Sequence, residues 1–232
     1  MASTNRHNAL DYEKRYQRGF GLAYPESHII RVNKYVLEWE LNLKGGRIFD
    51  FGCGFGAHLK YFVDCGYEPH GCDTSITAIE GCRDRLPSYA RNFHVTAVNP
   101  DIVSLCGENA LDVFLSNQVL YFLDDAGIRS IVDQAFLMLR PGGVFISTMM
   151  SYSCWYIRHV TGREGDFQRV NLQTPRQSGE LLINFKQKDE LADLFSPFVK
   201  MHVGAYSNHI REDEGPTDHW IYVGRKPLGA ST

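Results

Sequence analysis

Several sequence features that would by themselves identify the class of protein are absent from this chain. No apolar run among its 232 residues approaches the roughly 20 residues of a membrane-spanning helix. Its six cysteines form no Cys-x-x-Cys pair, which disfavours both a disulfide framework and a zinc site. The formal net charge is -3, whereas a surface that coats nucleic acid usually needs a basic excess. We therefore expect neither a membrane nor a nucleic acid as the partner, and no bound metal.

The first residues of the chain and its cysteines indicate in which cellular compartment the protein is expected. The residues through Asp11 are polar and contain no apolar core of the kind found in a secretion signal. Free, buried thiols are expected, since nothing pairs the cysteines. Cys53, which stands among glycines, is either a reactive thiol at a helix N-terminus or a small residue that fits a tight turn. We predict a cytoplasmic protein.

Short apolar segments alternate with amphipathic helical patterns over most of the chain. In the clearest helix, between Asp124 and Leu139, apolar residues recur at 128, 131, 132, 135, 136 and 139. Such alternation predicts an α/β fold with a mainly parallel, doubly wound sheet. Met149 to Phe185 is long, aromatic and irregular, and connections of this length are usually functional or structured on their own. Phe198 to Tyr206 and His219 to Gly224 are then predicted strands that extend the sheet.

The most informative segment is Ile48 to Gly56, which reads Ile-Phe-Asp-Phe-Gly-Cys-Gly-Phe-Gly. Glycines at 52, 54 and 56 leave a strand-to-helix turn almost free of side-chain bulk, so a ligand can lie against the main chain. A dinucleotide site spaces its glycines G-x-G-x-x-G, and a P-loop ends in Gly-Lys-Ser/Thr, and neither pattern is present. A fixed negative charge on Asp50, just before the turn, disfavours a pyrophosphate and is compatible with a cationic ligand.

Asp50-Phe51-Gly52-Cys53-Gly54-Phe55-Gly56 resembles the first motif of the class I S-adenosylmethionine-dependent methyltransferases. Further segments resemble the family's motifs in the expected order: Gly71-Cys72-Asp73-Thr74-Ser75, Asn99-Pro100-Asp101-Ile102, Ser116-Asn117-Gln118-Val119-Leu120-Tyr121-Phe122 and Leu139-Arg140-Pro141-Gly142-Gly143. The resemblance covers Lys44 to Thr148 well. It implies a Rossmann-like fold with a seven-stranded, mainly parallel sheet and a terminal antiparallel strand.

The resemblance also implies the cofactor S-adenosyl-L-methionine and its product S-adenosyl-L-homocysteine. It places Asp73 on the ribose hydroxyls, near the roughly 20-residue offset typical of such an acid, with a helix cap as the alternative. It places Asp101 near the adenine, although Asn-Pro-Asp is also an ordinary turn. Tyr24 would cover the sulfonium, and Arg31 would pair with the methionine carboxylate or remain a surface arginine. The expected cofactor-binding residues are Asp50, Gly52, Cys53, Gly54, Gly56, Asp73, Thr74, Asp101, Ile102, Asn117, Gln118, Tyr24 and Arg31.

The acceptor side is less determined. Because the methyl group of this cofactor is already activated, the protein chiefly positions the acceptor and excludes water. A general base is needed only where the acceptor starts protonated and is a poor nucleophile. Of the four histidines in the tail, we take His159 as the candidate base because it lies in the aromatic insertion. The other three are His202, His209 and His219. Tyr121, Tyr152 and Trp155 are the expected substrate-binding residues, and a core aromatic is the alternative for Tyr121.

The sequence predicts one methyltransferase domain over residues 1–232. Residues 1–43 would cover the cofactor, 44–148 bind it, 149–186 form the acceptor pocket and 187–232 close the sheet. The predicted reaction moves a methyl group to an O, N or S atom of a small molecule. An RNA or protein methyltransferase, a nicotinamide-dependent oxidoreductase and a non-catalytic cofactor-binding module are the alternatives. The oligomeric state stays open.

Overall fold

The computed structural model describes residues 4–174 and 178–229. The strands among these residues are β1 (Gly46–Phe51), β2 (Tyr67–Asp73), β3 (Phe93–Val95), β4 (Leu111–Ser116), β5 (Leu139–Met150), β6 (Val160–Glu164), β7 (Phe167–Gln173), β8 (Ser178–Ile183), β9 (Val199–Asn208) and β10 (Thr217–Arg225). The α-helices are α1 (Thr4–Gln17), α2 (Ser27–Val32), α3 (Ala57–Asp64), α4 (Ile76–Arg85), α5 (Val103–Cys106), α6 (Asp125–Met138) and α7 (Leu191–Leu194). A π-helix (Asn33–Glu40) continues α2, and short 3₁₀ turns include Leu120–Phe122 and Trp155–His159.

Seven strands form the main sheet in the order β3-β2-β1-β4-β5-β10-β9. The first five run parallel to one another, and β10 runs antiparallel to both β5 and β9. Strand order reverses direction between β1 and β4, so the carboxyl ends of these two strands flank a crevice of the kind in which open α/β sheets bind ligands. The prediction of a Rossmann-like, mainly parallel sheet of seven strands with a terminal antiparallel strand is confirmed.

The main sheet is buried on both faces, as expected for parallel strands covered by crossover helices. On one face Phe114 of β4 stacks between Phe49 of β1 and Phe145 of β5, with ring centroids 5.6 and 5.7 Å apart. On the other face, Ile48 and Val113 belong to a second apolar cluster. Alternate side chains of the same strand thus pack into apolar clusters on opposite faces of the sheet. Because a shift by one residue would exchange the two faces, this packing fixes the strand register and the position at which each strand ends.

The insertion after β5 has regular structure, which corrects the expectation of an irregular segment. Strands β6, β7 and β8 form a separate antiparallel sheet in that order. Along β7, Val170 and Leu172 belong to the main core and alternate with exposed residues, and Phe167 is also buried. Such short strands, with polar residues on the open face, carry a weak sequence signal, and tertiary contact decides their conformation.

The chain before β1 is also more ordered than its polar composition indicates. Helix α1 packs against α4 and β8. No helix in the described part of the chain is long and apolar enough to span a membrane.

Candidate active site

The glycine turn joins β1 to α3 in a conformation that glycine adopts readily. Gly52, Gly54 and Gly56 have φ angles of 81°, 52° and 71°, in the left-handed region. A Cβ on Gly52 would lie 2.3 Å from a methyl carbon of Val119. The N–H of Gly52 donates to the carbonyl of Cys72 at 2.8 Å, which ties the turn to β2. The main chain of the glycine turn therefore faces the crevice without side chains covering it.

Asp73 ends β2 and holds the turn in place. Its Oδ2 accepts the N–H of Gly54 at 2.9 Å, and its Oδ1 accepts the N–H of Ser75 at 2.9 Å. The N-cap of α4 is Ser75, whose hydroxyl accepts the N–H of Ala78 at 3.0 Å. Burial raises the pKa of Asp73, and the N–H groups of Ser75 and Gly54 act against that rise. Each carboxylate oxygen retains acceptor capacity, so Asp73 can also accept hydroxyl hydrogens from a ribose.

Asp50 and His58 form a buried pair behind the turn. His58 Nδ1 lies 3.9 Å from Asp50 Oδ2, and neither Asp50 oxygen has a hydrogen-bond partner among the described residues. Burial raises the pKa of Asp50 to about 8, with Asp73 adding to the rise. Burial likewise lowers the pKa of His58 to about 4. Burial thus favours the protonated carboxyl over the fixed negative charge that the sequence indicated, and a nearby cation would favour ionisation.

Glu26 gathers polar side chains at the carboxyl end of β4. Its Oε2 accepts the side-chain N–H of Asn117 at 2.7 Å, and its Oε1 accepts that of Gln118 at 2.9 Å. Nε2 of His28 and Nε2 of His58 each lie 3.8 Å from Glu26 Oε2. Burial lowers the pKa of His28, although Asn117 and Glu26 act against that change. The result is a half-buried carboxylate between two neutral imidazoles.

Gln118 links this cluster to the β9–β10 hairpin. Its φ of 59° is rare for a residue other than glycine, and such backbone strain concentrates at functional sites. The Thr148 hydroxyl accepts its N–H at 2.7 Å, and its side-chain amide donates to the Tyr206 hydroxyl at 2.9 Å. The Tyr206 ring stacks on His28 at 3.7 Å and on His219 at 4.9 Å, with interplanar angles of 12° and 5°. Three aromatic rings from α2, β9 and β10 thus stand beside the crevice.

A cavity of about 530 Å³ runs from the glycine turn to the insertion. We call its two parts the turn end and the insertion end. The turn end is lined by Gly52, Cys53, Gly54, Asp73, Thr74, Thr96, Ala97, Val98, Asn117 and Gln118. The insertion end is lined by Tyr121, Met150, Trp155, Tyr156, Leu172, Leu181, Ile183, Glu214 and His219. Helix α1 contributes Tyr12 and Tyr16 to the wall.

Helix α1 covers the cavity and is fixed at two places. The Asn8 side chain donates to the Leu182 carbonyl at 2.8 Å and accepts the Leu182 N–H at 3.2 Å, which joins α1 to β8. The Glu13 carboxylate accepts the Thr77 hydroxyl at 2.6 Å and also the Ser75 hydroxyl, which joins α1 to α4. These hydroxyls lower the pKa of Glu13, the Ser75 bond most. The helix therefore spans from the wall of the turn end to the insertion sheet.

Nine of the predicted site residues line this cavity: Gly52, Cys53, Gly54, Asp73, Thr74, Asn117, Gln118, Tyr121 and Trp155. Asp50, Gly56 and Ile102 lie behind the lining, where Asp50 and Ile102 are buried. A Cβ on Gly56 would lie 2.6 Å from Cys82 Sγ, so that glycine serves packing. The hydrogen bond with Cys82 and burial hold the pKa of the Cys53 thiol well above its usual range, which favours the small residue over the reactive thiol.

Three residues predicted to bind the cofactor are not brought to the cavity. Tyr24 is 81% exposed, and Arg31 is exposed on the far side of α2, beside a separate shallow groove. Asp101 is exposed, and its Oδ1 accepts the N–H of Ser104. Their side chains sit on surface positions because α2 and the loop after β3 turn other residues inward. The loop after β3 presents Thr96 to the turn end instead.

On the acceptor side, Tyr152 and His159 also lie outside the lining. The Tyr152 ring packs against Phe185 at 5.6 Å, and the His159 ring packs edge-on against Trp155 at 4.7 Å. His159 follows Trp155 by one helical turn and so supports it from behind. Of the four histidines in the tail, His219, at the start of β10, lines the cavity, as does His58 of α3.

The part of the cavity lining that α1 contributes is not among the residues predicted from sequence. Tyr12 and Tyr16 are four residues apart and so share one helix face, which is the signal that would have found them. Glu26, which lies in the covering segment but between the two residues that were chosen, was also missed.

The charges on the lining are mostly negative. Glu26, Asp73 and Glu214 contribute carboxylates, whereas the lining cation among the described residues is Arg15, whose guanidinium pairs with Asp11 at 2.5 Å. Across residues 4–174 and 178–229, histidine, cysteine and acidic side chains form no group that could hold a metal ion.

Comparison with known proteins agrees with this geometry. Residues 49–145 match the family model described as a methyltransferase domain. A carboxy-S-adenosyl-L-methionine synthase of Yersinia pestis (strain Pestoides F) is 30% identical over 135 residues, which are 54% of this chain and 49% of that protein. The chain thus spans about half the length of the curated relatives it matches.

Solved structures extend the likeness to the whole fold. The Burkholderia thailandensis 1,6-didemethyltoxoflavin-N1-methyltransferase, solved with 1,6-didemethyltoxoflavin and S-adenosylhomocysteine, has a TM-score of 0.67 at 18% identity over 98% of this chain and 92% of its own. A structure described under the conversion of a disulfide bond into a thioacetal group during echinomycin biosynthesis also has a TM-score of 0.67 at 18% identity, with coverage of 97% and 95%.

The switch-point crevice, the bare glycine turn and the acid at the end of β2 are features of nucleoside-binding α/β folds. Residues 49–145, which contain all three, match a methyltransferase-domain model, so this part of the chain is similar to S-adenosylmethionine-dependent methyltransferases. The cofactor that this similarity indicates is S-adenosyl-L-methionine. The residues fit that molecule: a Cβ on Gly54 would crowd the Tyr16 hydroxyl at 3.0 Å, and the unpartnered Asp50 oxygens suit a nearby cation.

Proposed function

We propose that this enzyme methylates a small molecule held in the insertion end of the cavity, with the cofactor in the turn end. The observation that carries the proposal is the roof, helix α1, which is bonded to β8 through Asn8 and to α4 through Glu13 and lines the cavity with Tyr12 and Tyr16. A volume of about 530 Å³ is in the usual range for small-ligand sites. A polymer would have to insert one residue beneath this roof.

In this proposal, different residues of the turn end bind different parts of the cofactor. Asp73 accepts the ribose hydroxyls, and the bare turn at Gly54 lies along the ribose and methionine. Glu26 accepts the methionine ammonium in a charge-assisted contact, in place of the Arg31 contact that the sequence indicated. When bound, S-adenosylmethionine supplies a sulfonium methyl group that an acceptor lone pair attacks in line, while the C–S bond breaks with its electrons going to sulfur.

The charge and polarity of the lining support a neutral or cationic small acceptor. Nucleic acids need cations along their backbone path, and Arg15, already paired with Asp11, is the lining cation among the described residues. Apolar and aromatic side chains such as Leu172, Leu181 and Trp155 dominate the insertion end, as in small-molecule pockets generally. The relatives' own substrates add context, since one neighbour was solved with a small heterocycle and S-adenosylhomocysteine.

We place the reaction in the cytoplasm as part of the same proposal. All six cysteines are free, including buried Cys53, Cys72, Cys82 and Cys154. Reduced thiols in close-packed surroundings are typical of a reducing compartment.

Partition of a labelled methyl group tests the proposed function. The enzyme is incubated with S-adenosylmethionine carrying a tritiated methyl group and, separately, with a deproteinised metabolite extract, total RNA and total protein from the cells that make it. We expect label in the low-molecular-weight filtrate of the metabolite reaction. Label retained in RNA or protein, or in no fraction, contradicts the proposal.

A further inference from the structure

His219 is the one histidine ring that the described structure brings into the insertion end. It stands at the start of β10, opposite Met150 of β5 and Tyr206 of β9. Met150 follows the crevice-forming part of β5, so His219 lies at the same edge of the sheet as the glycine turn. Its ring is 5.7 Å from that of Tyr121, in the segment after β4. The ring therefore stands between the turn end and the insertion end.

The His219 ring is buried, and its contact with the Thr217 backbone falls short of hydrogen-bond geometry. His219 is 4% exposed, and neither Nδ1 nor Nε2 makes a hydrogen bond with a described residue. His28 and His70 are also buried but hydrogen-bonded, to Asn117 at 2.9 Å and to Glu68 at 3.0 Å, whereas His58 Nε2 also lacks a hydrogen bond among the described residues. An unsatisfied buried polar group costs about 1–3 kcal/mol. Buried polar groups left in this state are often functional.

The orientation of the ring is fixed by its neighbours. Tyr206 stacks on it nearly in parallel, and Gln118 holds the Tyr206 hydroxyl. Because Gln118 follows β4 directly, the plane of the His219 ring is set relative to the turn end.

The surroundings keep this imidazole neutral. Burial lowers the pKa of His219 to about 4, the nearby His28 lowers it further, and the Thr217 backbone acts in the opposite direction. A neutral imidazole has one nitrogen that donates and one that accepts a hydrogen bond. A cationic cofactor nearby would disfavour protonation still more.

We propose that His219 orients the methyl acceptor, an uncharged small molecule whose nucleophilic N–H or O–H donates a hydrogen bond to the lone pair of this imidazole. This inference rests on the proposed function. The hydrogen bond aims the acceptor's own lone pair at the methyl carbon; the new bond to carbon forms as the C–S bond breaks toward sulfur. The acceptor's proton leaves to water or stays on the methylated nitrogen, because His219 does not retain it.

Two substitutions separate orientation from packing. His219→Gln keeps an acceptor atom in the same region, and His219→Phe keeps a flat ring for Tyr206 but removes both nitrogens. His202→Gln is the matched control, since His202 lies on neighbouring β9, is exposed and pairs with Glu40. Each protein is titrated with S-adenosylhomocysteine by calorimetry. Each is then assayed for transfer of tritiated methyl to the low-molecular-weight filtrate of the metabolite extract.

We expect S-adenosylhomocysteine affinity within about twofold of wild type for all three variants. The rate of small-molecule labelling should fall by about tenfold to a hundredfold in His219→Phe, the scale of losing one aiming contact. His219→Gln should recover part of that loss, and His202→Gln should match wild type. A fully active His219→Phe protein overturns the role of His219 and leaves the proposed function standing. Loss of S-adenosylhomocysteine binding in both His219 variants also overturns it, since the residue would then serve the cofactor or the fold. Label found only in RNA or protein, or in no fraction, refutes the proposed function, and the inference falls with it.

Discussion

The Glu26 carboxylate and the Asn117 side chain are joined by a 2.7 Å hydrogen bond across the crevice between the covering segment and the end of β4. This bond holds an acid at the place where the methionine part of the cofactor is proposed to lie. Glu26 also accepts a hydrogen bond from Gln118, which in turn donates to the Tyr206 hydroxyl. The same carboxylate is therefore connected to the stacked rings of His28, Tyr206 and His219.

We predict that Glu26→Gln weakens S-adenosylhomocysteine binding by about 1.5–3 kcal/mol, the range for a hydrogen bond to a charged group. Gln retains the shape and one acceptor for Asn117, so the loss reports the missing charge. Titration calorimetry measures it. Binding of 5′-methylthioadenosine, which has no amino acid part, should be unchanged. Equal losses for both ligands would show that Glu26 supports the fold of the site instead of the ammonium.

Asp73→Ala should weaken S-adenosylhomocysteine binding by about 1.5–3 kcal/mol on the same grounds. The structure gives Asp73 a second task, because Gly54 and Ser75 both donate to it. Binding of an S-adenosylhomocysteine analogue that lacks the ribose hydroxyls separates the two tasks. The analogue should lose much less affinity on substitution. If it loses as much as the parent compound, Asp73 acts by holding the turn.

Glu13→Gln should speed release of S-adenosylhomocysteine by about twofold to tenfold, because it weakens the contacts that hold α1 to Ser75 and Thr77. Stopped-flow displacement measures the dissociation rate. Glu40→Gln is the control, since it disrupts an exposed pair with His202 far from the roof. An unchanged rate in Glu13→Gln would mean that product leaves without movement of α1.

The glycine turn, the alternation of strands with helices and the acid after β2 were predictable from sequence because each depends on residues close together in the chain. The turn needs glycines where φ is positive, and a strand must precede it. Asp73 follows from the same βαβ unit. The positions of these residues in the fold are as predicted, whereas their contacts with a cofactor stay predictions.

The acceptor side was not predictable in the same way. Glu26, Gln118 and His219 are far apart in sequence and meet only because α2 and β10 begin, and β4 ends, at one edge of the sheet. Helix α1 is polar, and its position comes from tertiary bonds of Asn8 and Glu13 that no local pattern reveals. Neighbouring aromatic residues in the sequence favour His159 over His219, whereas one turn of 3₁₀ helix places the His159 ring edge-on against Trp155.

Acid should destabilise the protein partly through His219. Its pKa is about 4 in the folded chain, against about 6.5 for an unperturbed histidine, so the unfolded state binds more protons between those values. Stability from this group is complete above pH 6.5 and falls as the pH falls toward 4. The loss at pH 5 is about 2 kcal/mol for this group.

Urea unfolding of wild type and His219→Gln at pH 7 and pH 5 tests the sign. His58 and Asp50 titrate equally in both proteins, so the difference isolates His219. The variant should lose about 2 kcal/mol less than wild type on acidification. An equal loss would show that His219 is solvated and titrates normally.

In the proposed reaction, the cofactor occupies the turn end of the cavity and the methyl acceptor occupies the insertion end. A crystal structure of the protein with S-adenosylhomocysteine tests this arrangement most directly. We predict ribose hydroxyls on Asp73, the amino group on Glu26, and the sulfur facing His219 across the open insertion end. A cofactor that fills the insertion end, or whose sulfur points away from His219, would contradict the account.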